Sequence, residues 1–500
     1  MANGTRQPSA LTMSTDSPYL IRGLAAVAAT ALLSACASMG DAKSHSKIIE
    51  PARLGLTDSA ADAASWPAAD WWTGFGDPQL TRLIETAQAG NPSIKVAEAR
   101  VRLAQQAEAL ARAATGPSVS VNATATRERL SENYIYPPPL GGSTVTDGRV
   151  ALDFSYEFDF WGKQRAALES ALKRAAASQA ESDSAKLVLA VSVASTYLHL
   201  QRGYDELAID REELKQREAV VALLKLRIER GLDNRGEIDP QAGSVSSARQ
   251  ELAAAQENID ILKHQLAALT GTGPYTEADL ERPSVDADPA LALPQSLPAD
   301  LLGRRPDIIA QRLRIEASAQ DIAAARAAFY PNLDLTAFFG VQAIGTSKLF
   351  DIGSRTYGVG PALHLPVFNT GSLRADLGAK YAQYDLAVEQ YNQTVIDAAH
   401  EVADQGTALR SIAVQRQATK ESLRSFQKAY DLNLLRYRKG LTNYLTVLNG
   451  ESALFIQKRV DAQLRERQLQ TSVNLIRALG GGYAPSLVAS VTSKEAQHGK

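Results

Sequence analysis

The chain carries one long pattern twice, and a duplicated unit must fold twice into the same kind of element. In the first copy a run opens at Asn91-Pro92-Ser93-Ile94 and closes at Gly116-Pro117-Ser118-Val119. In the second it opens at Arg305-Pro306-Asp307-Ile308 and closes at Tyr330-Pro331-Asn332-Leu333. The two prolines of each copy stand 25 residues apart, and the copies are offset by 214. Further on, Leu226-Arg227-Ile228-Glu229-Arg230-Gly231-Leu232 matches Leu435-Arg436-Tyr437-Arg438-Lys439-Gly440-Leu441 at an offset of 209. Leu266 and Gly271 match Leu475 and Gly480 in the same way. Each copy reads as helix, strand, loop, strand, long helix, turn, helix.

The strands set the strongest demand. From 150 to 160, one face collects Val150, Leu152, Phe154, Tyr156, Phe158 and Phe160, and the other Ala151, Asp153, Ser155, Glu157 and Asp159. Alternation over about eleven residues matches a transmembrane β-strand in length and period. Weaker partners alternate around Val119, Val121 and Ala123, around Leu333, Leu335 and Phe339, and around Tyr357, Val359 and Leu363. The segments Ser131–Thr146 and Ile344–Ser354, rich in Gly or Pro, connect them as surface loops. A half-buried soluble sheet gives the same alternation. If the strands span a membrane, four are too few, since the smallest membrane barrels have about eight. Open edges in hydrocarbon leave backbone groups unpaired, so several chains must share one barrel. The polar residues Asp153, Glu157, Asp159 and Asp334 would then line a negative lumen that prefers cations.

Between Lys163 and Arg230 there is no proline and one interior glycine, Gly203. At 1.5 Å per residue such a helix is about 100 Å long. Leu200, Leu207, Leu214, Val221 and Ile228 recur every seven residues; the second copy keeps Leu409, Leu423, Tyr430 and Tyr437, interrupted by Arg416. The next helix pairs Val245/Ala248, Leu252/Ala255, Ile259/Leu262 and Leu266/Leu269, a seam that demands a helical partner. Its counterpart after Gly440 keeps Leu454, Leu464 and Leu475 but is less regular.

At the N-terminus, Arg22 precedes an apolar stretch, Gly23 to Leu33, followed by Leu33-Ser34-Ala35-Cys36. This reads as a secretory signal, too short to span a bilayer, and its end resembles a bacterial lipobox in which Cys36 becomes the acylated first residue. Translation starts at Met1 or at Met13. An ordinary signal peptide with an incidental cysteine is the competing reading. Ala37 stands where Asp would direct retention in the inner membrane. Stable anchoring needs two or more acyl chains.

Composition excludes other classes. A net charge of −2 gives no electrostatic footprint for nucleic acid. With a single cysteine there is no disulfide and no Cys-metal site. The six histidines, His45, His199, His264, His364, His400 and His498, show no metal-ligand spacing. Gly340–Gly345 and Gly480-Gly481-Gly482 lack the Lys-Ser/Thr of a phosphate loop. No cofactor, metal or catalytic constellation is expected, and conduction through a polar tube is the remaining function.

Trp71-Trp72-Thr73-Gly74-Phe75-Gly76-Asp77-Pro78-Gln79-Leu80, Asn91-Pro92, Tyr330-Pro331-Asn332 and Tyr437-Arg438-Lys439-Gly440-Leu441-Thr442-Asn443-Tyr444-Leu445-Thr446-Val447-Leu448, with the lipobox and the duplication, resemble the outer membrane factors of tripartite efflux systems. These are the TolC-like and OprM-like channels, here of the NodT lipoprotein branch serving RND pumps. The resemblance covers the whole mature chain. It implies an α+β membrane protein whose helix-strand-strand-helix unit, duplicated, builds a homotrimeric 12-stranded β-barrel continued by a periplasmic α-helical barrel.

On this reading the chain divides into a lipoprotein signal peptide 1–35 and an anchor with N-terminal equatorial segment 36–76. A first repeat, 77–270, holds strands at about 117–130 and 147–160. An equatorial linker 271–298 leads to a second repeat, 299–480, with strands at about 331–344 and 355–367, and a tail 481–500. The resemblance also implies a periplasmic adaptor, an inner-membrane RND transporter and outer-membrane lipid as partners. It carries a gate to Tyr437, Leu445 and Asn449. Family channels often have Asp at the last position, so Asn449 departs from the pattern, and Asp239 is another source of charge. Arg230, Gly231, Leu232, Lys439, Gly440 and Leu441 are candidate adaptor-docking turns. Coiled-coil packing is the competing reading for Tyr437 and Leu445, and a plain hairpin for the turns. The expected function is passive conduction of drugs or other toxic small molecules from pump and adaptor to the exterior. The alternatives are a type I secretion channel and a non-conducting, lipid-anchored periplasmic scaffold.

Overall fold

The computed structural model describes residues 39–55, 66–232, 234–285, 301–366 and 369–483. Cys36, the signal peptide, linker residues 286–298 and the tail from 484 lie outside the described residues.

The elements follow the duplicated order. The first copy runs α1 (Pro78–Gly90), α2 (Pro92–Ala114), β1 (Ser118–Arg129), β2 (Thr144–Phe158), α3 (Lys163–Glu229) and α4 (Ile238–Thr270). The second runs α5 (Pro306–Ala327), β3 (Asn332–Ile344), β4 (Arg355–His364), α6 (Thr370–Arg438) and α7 (Tyr444–Ala478). The expected helix-strand-strand-helix order therefore stands in both copies. Two compact units result: one gathers Ala111–Leu168 and Ala319–Gln383, the other His45–Leu110, Glu169–Ser318 and the chain from Tyr384 onward.

The first unit holds one antiparallel sheet, ordered β1-β2-β3-β4. Its register sorts residues by polarity. Val121, Leu152, Phe339 and Tyr357 form one cross-strand row, and Val119, Phe154, Ala337 and Val359 another. The row between these two is Ser120, Asp153, Phe338 and Gly358, with Phe338 the one apolar side chain in it, and the row beyond Val121 is Asn122, Ala151, Gly340 and Thr356. Because side chains alternate with period two, one slip in register would mix these sets. Gly340 is required here: a Cβ on it would come within 2.6 Å of the Ala151 Cβ.

In the second unit the core gathers Leu83, Ile84, Leu198, Leu200, Ile259 and Leu266 from α1, α3 and α4. The motif around Trp71 is structural. Trp71 and Phe75 are buried in a 3-10 turn, and Asp77 caps α1 by accepting from the Gln79 backbone N–H at 2.8 Å. Pro78 occupies the first turn, where its missing N–H costs nothing. The other Asp77 oxygen accepts from the Tyr197 hydroxyl at 2.8 Å and the Ser284 N–H at 3.0 Å. One buried carboxylate thus joins α1, α3 and the segment after α4.

The duplication is visible in hydrogen bonds. The Asn91 side-chain amide, just before Pro92, donates to the Leu269 carbonyl at 2.7 Å, near the end of α4. Arg305, just before Pro306, donates to the Ala478 carbonyl at 3.3 Å, at the end of α7. The same tie closes each copy.

Candidate functional site

Two places carry the candidate residues: the sheet and the two helical turns. On the sheet, the apolar face is exposed in the single chain. Val121 is 70% exposed, Val359 76% and Tyr357 78%. A contiguous exposed apolar surface of this kind marks a face meant for lipid or a partner. At one end of β2, Phe158 stacks on Phe160 at 5.7 Å, and Trp161 on Tyr330 at 4.5 Å. The Trp161 indole donates to the Pro331 carbonyl at 2.8 Å. Aromatic rings gathered at the end of an apolar band fit a membrane–water boundary.

The polar face is charged but mostly paired. Asp153 lies in β2 and accepts from Arg149 at 2.7 Å and from Asn122 at 2.8 Å. Glu157 pairs with Lys163 at 3.5 Å. Asp334 lies opposite Glu157 and accepts from Asn332 at 3.3 Å. Asp159 corrects the expectation. It lies beyond the end of β2 and caps α3, accepting from the backbone N–H groups of Gln164 and Arg165 at 3.1 and 2.9 Å. Asp153, Glu157 and Asp159 thus each have a cation beside them within the chain, while Asp334 meets a neutral amide. The signal for the first pair was present, since Arg149 and Asp153 are four residues apart and share a strand face.

At the turns, the repeated Gly-Leu pairs end their helices identically. Gly231 and Gly440 have φ of 70° and 75°, a left-handed conformation that glycine adopts without penalty. Their N–H groups donate to Ile228 and Tyr437 carbonyls at 2.9 Å in both cases. The following Leu232 and Leu441 N–H groups reach back to Arg227 and Arg436 at 2.8 and 2.9 Å. This is the Schellman arrangement, which satisfies carbonyls that a helix end otherwise leaves unpaired. Arg230, Gly231, Leu232, Lys439, Gly440 and Leu441 are all exposed, Leu441 to 73%.

The gate candidates separate. Leu445 is 60% exposed, Asn449 is half-buried in the second turn of α7, and Asp239 is exposed in the first turn of α4. Tyr437 is only 2% exposed and lies in a core with Val220, Tyr430, Tyr444, Val447 and Leu454. The Arg227 guanidinium covers its ring at 4.7 Å. Burial inside the hairpin packing corrects its assignment as a pore-facing group.

The sequence reading missed a charged network beside this core. Arg459 donates to Asp210 at 2.9 Å, Glu213 at 2.7 Å and Glu251 at 3.4 Å. These three carboxylates converge closely enough to hold a metal ion, but the guanidinium occupies that position. Arg217 pairs with Glu213 and donates to the Ser244 carbonyl at 2.8 Å. Glu451, 2% exposed, lies against this network, and neither of its oxygens has a hydrogen-bond partner. Burial pushes its carboxyl up to about 7, with Glu213 adding to the effect and Arg217 opposing it. Its position was legible: it falls four residues after Val447 and three before Leu454, in the apolar stripe.

Among the described residues no helix is long and apolar enough to cross a membrane. A polarity-sorted sheet and long helices with exposed turns define an outer-membrane channel subunit. The family model of the outer membrane efflux proteins matches residues 83–272 and 297–481, and the chain belongs to that family. The chain is similar to the outer membrane protein VceC of Vibrio cholerae, with 37% identity and a TM-score of 0.79 over 84% of this chain and all of that one. It is 39% identical over 366 residues to the fusaric acid resistance protein FusA of Burkholderia cepacia, covering 72% of this chain and 69% of FusA. Its identity to the pyoverdine export outer membrane protein OpmQ of Pseudomonas putida is 33% over 435 residues, covering 85% and 90%. The family is one of trimeric efflux channels, and the expected fold class and channel function stand.

Proposed function

We propose that three copies of this chain form a passive outer-membrane conduit for small organic molecules. They receive these molecules from an inner-membrane RND transporter through a periplasmic adaptor. The observation that carries the reading is the register of the sheet. Four strands sort an apolar face from a polar one, while β1 and β4 remain edges with no partner strand among the described residues. Lipid does not tolerate such edges. Joining β4 of one copy to β1 of the next pairs both and closes twelve strands after three copies. FusA is named for fusaric acid resistance and OpmQ for pyoverdine export, and two different compounds among relatives support a conduit with selection made elsewhere.

Cys36 anchors each copy in the outer membrane through its acyl chains. The exposed Leu232 and Leu441, flanked by Arg230 and Lys439, dock the adaptor: apolar tips ringed by cations suit a surface with apolar hollows and acidic edges. Leu445 and Asn449 narrow the closed pore, with Asp239 facing it from the first hairpin. Paired as they are, Asp153 and Glu157 give the barrel little charge preference.

Planar-bilayer recording of the purified, acylated protein tests the conduit. Stepwise conductance is expected, rising in Leu445→Ser. A protein that runs as a monomer without heating and forms no pores overturns the reading. Cys36→Ser should abolish labelling by radioactive palmitate, and persistent labelling would remove the anchor.

A further inference from the structure

Glu451 presents an unusual arrangement for a residue on a gating helix. It lies on α7, six residues beyond Leu445, with its side chain enclosed and both oxygens unpartnered. The groups around it explain why it cannot be ionised without consequence. From α3 come Glu213, which repels a second negative charge, and Arg217, already paired to Glu213. From α6 come Tyr430 and Tyr437, and from α7 itself Tyr444, in the same core, where burial pushes the Tyr430 and Tyr444 phenols up. From α4 come the Ser244 carbonyl that holds Arg217 and the buried, neutral Gln241; the nearest acid on that helix in the network, Glu251, is bonded to Arg459.

We infer that Glu451 is a proton-operated latch on the hairpin tips: protonated, it locks α7 against α3 and α4; deprotonated, it releases them. This rests on the channel reading above. The step is a proton exchange with water. When the carboxylic acid loses its proton, a negative charge stands in an apolar core beside Glu213. Burying an unpaired charge is strongly unfavourable. Relief comes in two ways. Arg217 turns toward Glu451 and abandons the Ser244 carbonyl, or the α7 segment opens to admit water. Both remove a tie between α7, α3 and α4 next to Leu445. An acidic periplasm therefore keeps the tips closed.

The magnitude follows from linkage. Taking about 7 for the enclosed carboxyl and 4.5 when it is hydrated, lowering pH from 8.5 to 5.5 shifts the open-to-closed ratio toward closed by about thirtyfold.

The test places a spin label at the exposed tip through Leu441→Cys, in full-length protein reconstituted in lipid vesicles, where Cys36 is blocked by acylation. Label mobility and distances between copies are read from pH 5.5 to 8.5. The expected result is a transition near neutrality toward mobile, separated tips, absent in Glu451→Gln and Glu451→Leu and retained in Glu212→Gln. A transition that survives in both Glu451 variants, or a flat profile in the parent protein, overturns the latch. Conductance is recorded on the same samples: a protein that forms no pore would sink the channel reading and with it the latch, whereas a pore whose tips ignore pH would sink the latch alone.

Discussion

The two copies of the repeat keep one fold and divide its labour. In α4 the regular heptad seam leaves many of the first residues exposed, with Gln241 and Ala248 the buried ones before the middle of the helix. In α7 the less regular counterpart buries Tyr444, Val447, Glu451, Leu454 and Phe455 over the same stretch, and nearly every residue from Leu469 to Leu479. The heptad pattern of α4 is what a helix shows when it meets one partner along one stripe. A wider, irregular apolar surface is what it shows when packed on several sides. Where α7 has Glu451, the corresponding position in α4, at the same offset of 209, is the exposed Ala242. Duplication supplied two hairpins; divergence put a buried carboxyl without a hydrogen-bond partner at this position in one of them.

The ties that close each copy give the first contrast. Arg305 is 8% exposed in its side chain and pairs with Asp307 at 2.7 Å and Glu401 at 2.8 Å, besides the Ala478 carbonyl. Removing it takes a charged hydrogen-bond partner from each of Asp307 and Glu401, which keep the Ile308 N–H and Arg477, and Arg305→Ala should cost about 3 kcal/mol. Asn91→Ala removes a neutral bond in the other copy and should cost about 1–2 kcal/mol. Chemical denaturation in detergent measures both, and equal losses would mean that the charge in the second tie contributes nothing.

The two faces of the sheet give the next contrast. Val121 and Asn122 are neighbours on β1 with opposite orientation. Val121→Lys places a charge on the lipid face and should destabilise by about 2–4 kcal/mol at the bilayer midplane, whereas Asn122→Lys faces water and should change stability little. Heat-modifiable gel migration reads the difference. If both variants assemble equally well, the apolar face does not meet lipid.

How much of this could be read from the residues depends on what each feature requires. Alternation is local, so strand faces were legible, and the Schellman glycines announce themselves twice as Gly-Leu. Partnership is not local. Asp159 looks like the last member of a polar face, yet the chain turns at Phe160 and the carboxylate caps α3 instead. Tyr437 stands on a heptad seam, and sequence alone leaves a seam residue free to face either a pore or a neighbour. Its burial depends on Arg227, which lies in the other copy. The acids of β2 illustrate the same limit, because a face shows where charges point and not whether they are spent.

Glu451 also carries a stability signature that Ala242 cannot. Its carboxyl is raised to about 7 in the folded chain from 4.5. The contribution is therefore full below pH 4.5 and is lost as pH rises to about 7, amounting to about 3 kcal/mol by pH 8. Glu451→Leu should remove that loss and melt higher than the parent protein at pH 8, with the advantage shrinking at pH 5. Calorimetry at the two pH values decides it, and an advantage independent of pH would mean that packing alone is at work.

The smallest contrast lies in the caps of the two turns. Asn234 and Asn443 correspond at the offset of 209. The Asn443 side-chain oxygen accepts from the Thr446 N–H at 3.2 Å and starts the 35-residue α7 directly. That of Asn234 accepts from the Gly236 N–H at 3.1 Å and starts a 3-10 turn that precedes α4. A cap on a long helix supports everything packed beyond it, while a cap on a short turn supports one exposed loop. Asn443→Ala should cost about 1 kcal/mol, as helix N-caps do, and raise hydrogen exchange through Tyr444–Val447. Asn234→Ala should leave α4 protected and affect the turn alone. Exchange that rises equally along α4 and α7 would show that the two tips are held by the same means, and that their divergence stops short of the turns.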